Sequence, residues 1–182
     1  MLPGCLAAWL AAPGILAHTT RNHFRPLATT QTVVNRLLEI ARGEGKIGSP
    51  LEARVTFVLP AEDRGGPLHT ALLGIDGGNS DARFLVDVMQ TSQVELHFEG
   101  EAGAEAEGGA EDEGAFCLAE NVEVELSGGL PGLHRARVVI RPALGHKCER
   151  CWKFATELRS ADGYDAACCP DCLSAVRVLA SR

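Results

Sequence analysis

Apolar positions along the chain change their period from segment to segment, and each change predicts an element. Between Thr30 and Arg42 they fall at Val33, Val34, Leu37, Leu38 and Ala41, the three-and-four spacing that lines one face of a helix. Thr29 or Thr30 is placed to cap its start, and Gly43 or Gly45 to end it. After Gly48-Ser49-Pro50 the period drops to two. Leu51, Ala53, Val55, Phe57 and Leu59 alternate with Glu52, Arg54, Thr56 and Val58, which predicts a half-buried strand. Pro67–Leu73 reads as a short helical turn. Phe84–Met89, apolar and partly β-branched, reads as a strand, as do Val94–Phe98, Val122–Leu126 and Ala136–Ile140. Gly74–Asp81 is turn chemistry, and its oxygen-bearing side chains lack the order and the closing Glu of a calcium-binding helical loop.

Composition sharpens this outline. The chain has 182 residues, 46% of them apolar and 23% charged, which is ordinary globular usage. No stretch reaches the ~18 uninterrupted apolar residues of a membrane-spanning helix. Ten acidic residues and no Lys or Arg fall between Glu99 and His134. Removing those ten from the net charge of −7 leaves the rest of the chain at +3. A uniformly basic nucleic-acid binder is excluded, whereas a local basic contact is not. Glu99–Gly114 consists of Glu, Gly, Ala and one Asp. It cannot bury enough apolar area to offset its ordering entropy, so it is read as a flexible acidic loop. The first 29 residues hold an apolar run, Cys5 to Ala12, with no basic residue before it and Pro13-Gly14 after it. They are read as a separate N-terminal segment rather than a secretory signal.

Seven cysteines carry the chemistry. Four form two pairs, Cys148-Glu-Arg-Cys151 and Cys169-Pro-Asp-Cys172. A two-residue spacer lets one tight turn aim both sulfurs at one ion, and the intervening chain is long enough to return the second pair. Four thiolates at ~2.3 Å close a tetrahedral zinc site with no position left for water or substrate. The odd total and paired spacing fit metal binding in a reducing compartment, hence the cytoplasm, rather than a secreted disulfide scaffold. Cys168 is read as a spare thiol and Cys117 as a small core residue. Lys147, Arg150 and Lys153 can offset the −2 charge of a Zn²⁺–thiolate centre. Trp152, Phe154, Leu158 and Tyr164 are candidates to pack over it. The expected fold class is α+β, a small antiparallel sheet with one main helix followed by a C-terminal four-cysteine, zinc-ribbon-like finger. Its divisions are residues 1–29, 30–143 and 144–182.

The same residues carry a resemblance. His146-Lys147-Cys148-Glu149-Arg150-Cys151-Trp152, with Cys169-Pro170-Asp171-Cys172 and Ala175-Val176, resembles the zinc finger that ends bacterial isoleucyl-tRNA synthetases. Val34–Glu39, Ala41-Arg42, Ile47–Val55 and Ser92–Leu96 resemble the segment before that finger, so the likeness covers residues 31–98 and 135–176. It implies one structural zinc ion held by Cys148, Cys151, Cys169 and Cys172. It also implies that this part of the enzyme assists binding of the isoleucine tRNA, either within one chain or beside a separate catalytic chain. Lys147, Arg150, Lys153 and Arg159 are the candidates for phosphate contacts, with Trp152 as a stacking surface. The ATP-binding signatures of the synthetase catalytic domain are missing from this sequence, so ligase activity is not expected of the chain alone. Two alternatives stand beside this reading: a DNA-glycosylase-type finger, disfavoured by the upstream match, and a structural zinc unit that docks on a catalytic subunit.

Overall fold

The computed structural model describes residues 13–73, 83–101, 116–125, 133–161 and 164–180. For 13–26, 83, 161, 164, 165, 179 and 180 it describes the backbone alone. The segments read as loops at 74–81 and across most of 99–114 lie outside the described residues.

Helix α1 runs over Pro13–Gly43, well upstream of the expected start. Thr29 and Thr30 therefore do not cap it. The buried Thr30 hydroxyl donates to the Leu27 carbonyl at 3.0 Å, and Thr32 donates to Ala28 at 2.9 Å. This back-bonding within the preceding turn lets threonine sit inside a helix. Leu27, Thr30, Val33, Val34, Leu37, Leu38 and Ala41 form the buried stripe. At the other end Gly45 takes φ +69°, its N–H donates to the Arg42 carbonyl, and the Lys46 N–H donates to the Ala41 carbonyl. That pair of bonds closes the helix with a left-handed residue, the role for which glycine is suited.

Ser49 caps a short 3-10 turn, Pro50–Glu52, and β1 follows over Ala53–Leu59. Next come helices α2 (Pro67–Leu73) and α3 (Arg83–Met89), then strands β2 (Gln93–Phe98), β3 (Leu118–Glu125) and β4 (Leu133–Pro142). The sheet order is β2-β1-β4-β3. β4 pairs antiparallel with both β1 and β3, giving the expected antiparallel core. β2 joins it as a parallel edge strand, Arg54 opposite Gln93 through Leu59 opposite Phe98. A parallel neighbour needs a crossover connection, and the segment carrying α2 and α3 supplies it.

Phe84–Met89, read as a strand, is helical. Its fully buried residues are Leu85 and Met89, four apart, while Phe84 and Asp87 face outward. Short apolar runs do not distinguish strand from helix by period. A tertiary contact adds to the outcome, because the Gln31 side-chain amide donates to the Val88 carbonyl at 2.8 Å near the helix end. β1 is also more enclosed than alternation predicts. Ala53, Val55, Phe57 and Leu59 face the helices, yet Thr56 and Val58 are buried on the opposite face, where Val58 packs with Val139. The main core joins the α1 stripe to Leu68, Leu72, Leu85, Met89, Val122, Val124, Val138 and Ile140. Cys117 is exposed rather than in the core, because it stands just before β3, outside the inward-facing positions. Among the described residues no helix is long and apolar enough to cross a membrane.

Replacing Gly45 tests the helix end without any packing change, since a Cβ there would meet no atom within 4 Å. Gly45→Ala should lower stability by about 1 kcal/mol through left-handed strain alone, measured as a shifted denaturant midpoint with an unchanged slope.

A candidate metal centre of four cysteines

Beyond β4 the chain makes two small hairpins. Strand β5 (His146–Lys147) pairs with β6 (Phe154–Ala155), and β7 (Arg159–Ala161) pairs with β8 (Tyr164–Cys168). Helix α4, Pro170–Ala180, closes the region. It is absent from the sequence expectations, although Pro170 at its first position and Asp171 in its first turn are start signals. The first hairpin presents Cys148 and Cys151 in a tight turn. The Cys148 N–H donates to the Lys153 carbonyl and the Trp152 N–H to the Cys148 carbonyl, each at 2.9 Å. Trp152 takes φ +65° to complete it. The second pair lies at the start of α4, where the Leu173 N–H donates to the Cys169 carbonyl at 2.9 Å.

These two turns bring the predicted four sulfurs together. Cys148, Cys151, Cys169 and Cys172 have ligand atoms all within 4.8 Å of one another, three of the residues buried and Cys151 half-buried. A tetrahedral ion at ~2.3 Å from each sulfur requires sulfur–sulfur edges of about 3.8 Å. The Cys151–Cys169 separation is 3.7 Å. The donor set therefore fits one thiophilic divalent ion with a closed coordination sphere. Burial disfavours ionisation of Cys148, but the backbone N–H groups of Cys151, Cys169 and Arg150 converge on its sulfur and bring the thiol down to about 6. The Cys169 N–H contact is 3.3 Å. Burial pushes Cys151 up to about 12 and also raises Cys169. One ready thiolate beside thiols that must release protons is the starting point for metal capture.

Cys168 is fully buried in the same small cluster, with Leu173 and the ligand cysteines; Leu158, Ala155 and Ala166 pack around it. Burial raises its thiol. Of the residues expected to cover the centre, Leu158 does so and Phe154 is half-buried, while the Tyr164 side chain lies outside the described residues. Trp152 departs from that expectation: it is 62% exposed and stands at the left-handed position of the turn. The Lys147 ammonium lies 5.3 Å from the centre of that ring. Arg150 is exposed beside them. Lys153 is held by Asp87 at 2.8 Å, and Arg159 by Glu157 at 2.9 Å. Lys147, Arg150, Trp152 and Lys153 thus share the first turn, whereas Arg159 stands on the second hairpin. Sequence reasoning missed two structural contributors, Gly145 and the polar pair Ser92-Gln93. Nothing in local pattern shows that Ser92 and Gln93 face the cysteine region, since Phe154 and Leu144 are distant in sequence, and the need for glycine at Gly145 comes from its close approach to Ala155.

An α+β unit whose last segment gathers four cysteines fit to hold a metal ion is the class these features define. Comparison with known proteins narrows it. Isoleucine–tRNA ligase of Desulfovibrio desulfuricans is 30% identical over 171 residues, 94% of this chain and 15% of that protein. The isoleucine–tRNA ligase of Haemophilus ducreyi is 35% identical over 147 residues, 81% of this chain and 12% of that protein. The chloroplastic/mitochondrial isoleucine–tRNA ligase of Arabidopsis thaliana is 30% identical over 142 residues, 78% of this chain and 11% of its own length. No protein-family model matches the chain. The resemblance to the C-terminal region of isoleucine–tRNA ligases is borne out. The chain spans only 11–15% of the length of these relatives.

Two measurements probe the centre. Gly145 has φ +88°, and a Cβ there would sit 2.1 Å from the Ala155 carbonyl oxygen, which is backbone and cannot swing away. Gly145→Ala should cost about 3 kcal/mol through strain and overpacking, and should appear as substoichiometric metal after purification. Protons compete with the ion for thiolate, and Cys151 and Cys169, both raised by burial, must give up protons to bind it, so metal retention should decline as the pH is lowered. Metal content of the dialysed protein across a pH series reads this directly.

Proposed function

We propose that the chain serves as a zinc-binding, tRNA-binding part of an isoleucine–tRNA ligase, with no catalytic core of its own. Cys148, Cys151, Cys169 and Cys172 hold one structural Zn²⁺. The ion acts on folding rather than chemistry, because four thiolates leave no open position. A region of about 40 residues has little core, so metal affinity supplies much of its stability. The observation that carries the reading is the joining of a four-sulfur cluster with an exposed, basic, aromatic-bearing turn. Lys147, Arg150 and Trp152 project from the same loop that supplies Cys148 and Cys151. Basic side chains neutralise phosphates and an open indole face accepts an unstacked base, the two contacts on which single-stranded RNA recognition rests. Lys153 and Arg159 are the remaining phosphate candidates. Residues 144–182 work as the metal-dependent unit and 30–143 as its support. The full ligase activity belongs to a catalytic domain, in the same protein or in a separate chain, and the setting is the cytoplasm.

Purified chain should contain about one zinc and bind isoleucine tRNA in a salt-dependent manner, with binding lost on chelation and restored by zinc. Charge reversal at Lys147 and Arg150 should weaken tRNA binding while zinc content stays constant. Undiminished tRNA affinity in that variant removes the RNA role and leaves docking on a catalytic subunit. Absence of zinc overturns the metal assignment.

A further inference from the structure

The four-cysteine region is not tethered to the sheet by chain continuity alone. Ser92 and Gln93, at the entrance to β2, make a set of bonds that reach it from two sides. The Ser92 hydroxyl, in a residue only 9% exposed, donates to the Leu51 carbonyl and accepts from the Phe154 N–H at 2.7 Å. The Gln93 side-chain amide donates to the Leu144 carbonyl and its oxygen accepts from the Leu144 N–H, each at 2.9 Å. One amide group thus pairs both backbone groups of Leu144, as a neighbouring strand would. Lys153 adds an ion pair to Asp87 on α3, and the Ala143 N–H donates to the Glu52 carbonyl at 2.8 Å.

These bonds land on both flanks of the first cysteine turn. Leu144 comes before it and Phe154 after it, and the turn is closed by the Cys148–Lys153 and Trp152–Cys148 backbone bonds. A turn gripped before and after has its orientation set relative to β1 and β2, not merely its location. We infer that Ser92 and Gln93 are positioning residues, a rigid joint that fixes the direction in which the cysteine turn presents Lys147, Arg150 and Trp152. Orientation matters for a binder because contacts formed on two rigidly related surfaces escape the entropy of aligning them on each encounter. The consequence for RNA rests on the tRNA-binding reading above; the joint itself does not.

The test uses the full zinc-loaded chain and backbone amide relaxation. In the unaltered protein, amides of 146–155 and of β1 should share one rotational correlation time. In the Ser92→Ala/Gln93→Ala double variant, zinc content and the correlation time of β1 should be unchanged while residues 146–155 tumble independently with a shorter time. Ser92→Thr, which keeps the hydroxyl, should retain the shared value. Affinity for isoleucine tRNA should fall about tenfold in the double variant, with no change at Ser92→Thr. A shared correlation time in the double variant overturns the joint. Loosened tumbling with unaltered tRNA affinity overturns its role in presentation. If the unaltered protein binds no tRNA, the functional reading fails and the relaxation data still decide the joint. If the double variant loses its metal, the single Gln93→Ala decides by the same relaxation measurement, because its bonds lie at the surface.

Discussion

Every other element is arranged around β1, which is buried on both faces and paired along both edges. A strand enclosed in this way must satisfy every backbone group through neighbours, and β2 and β4 supply them. Because β2 pairs in parallel, the chain must travel the length of the sheet before returning. That journey places α2 and α3 beside α1 and completes the core around Phe57 and Leu59. It also brings the start of β2 next to the start of β1, where Leu51 and Glu52 meet the entry to the cysteine region. The site is therefore hung on the best-buried part of the molecule.

A second constraint operates within the cysteine region itself. Four thiol groups within 4.8 Å have little apolar material around them beyond Leu158, Leu173 and a few alanines. Such a cluster is poorly supported by hydrophobic burial and strongly supported by an ion that four thiolates share. The local backbone is bent to suit it: Trp152 accepts a left-handed conformation, Gly145 permits a close approach to Ala155, and amide hydrogens converge on Cys148. The turn that carries the buried Cys148 also carries the exposed Trp152.

Much of this was legible in residues alone. The α1 stripe and the strands at β1 and β2 are legible from period, set by the face that each turns to the main core, while α2 and the strands at β3 and β4 are legible only as short apolar runs. The four cysteines declare themselves by spacing, because a tight turn with two intervening residues is what two sulfurs on one ion require. The expectations that failed share a cause. Thr29 and Thr30 have the chemistry of caps, but their place in a longer helix depends on packing and on bonds to the preceding turn. Phe84–Met89 has the composition of a strand, but only the buried partners of Leu85 and Met89 make it a helix.

Residue order was enough to settle the element types where one face is buried, the set of four cysteines fit to hold a metal ion and the likeness to isoleucine–tRNA ligases, since each is written in the spacing of near neighbours. Packing in three dimensions settled the parallel pairing of β2, the second buried face of β1, the exposure of Trp152 and the grip of Ser92 and Gln93 on the cysteine turn. The bonds of that grip join groups 51 and 62 positions apart, and β1 likewise meets β2 and β4 only after long intervening chain. No local pattern records which distant residues will meet.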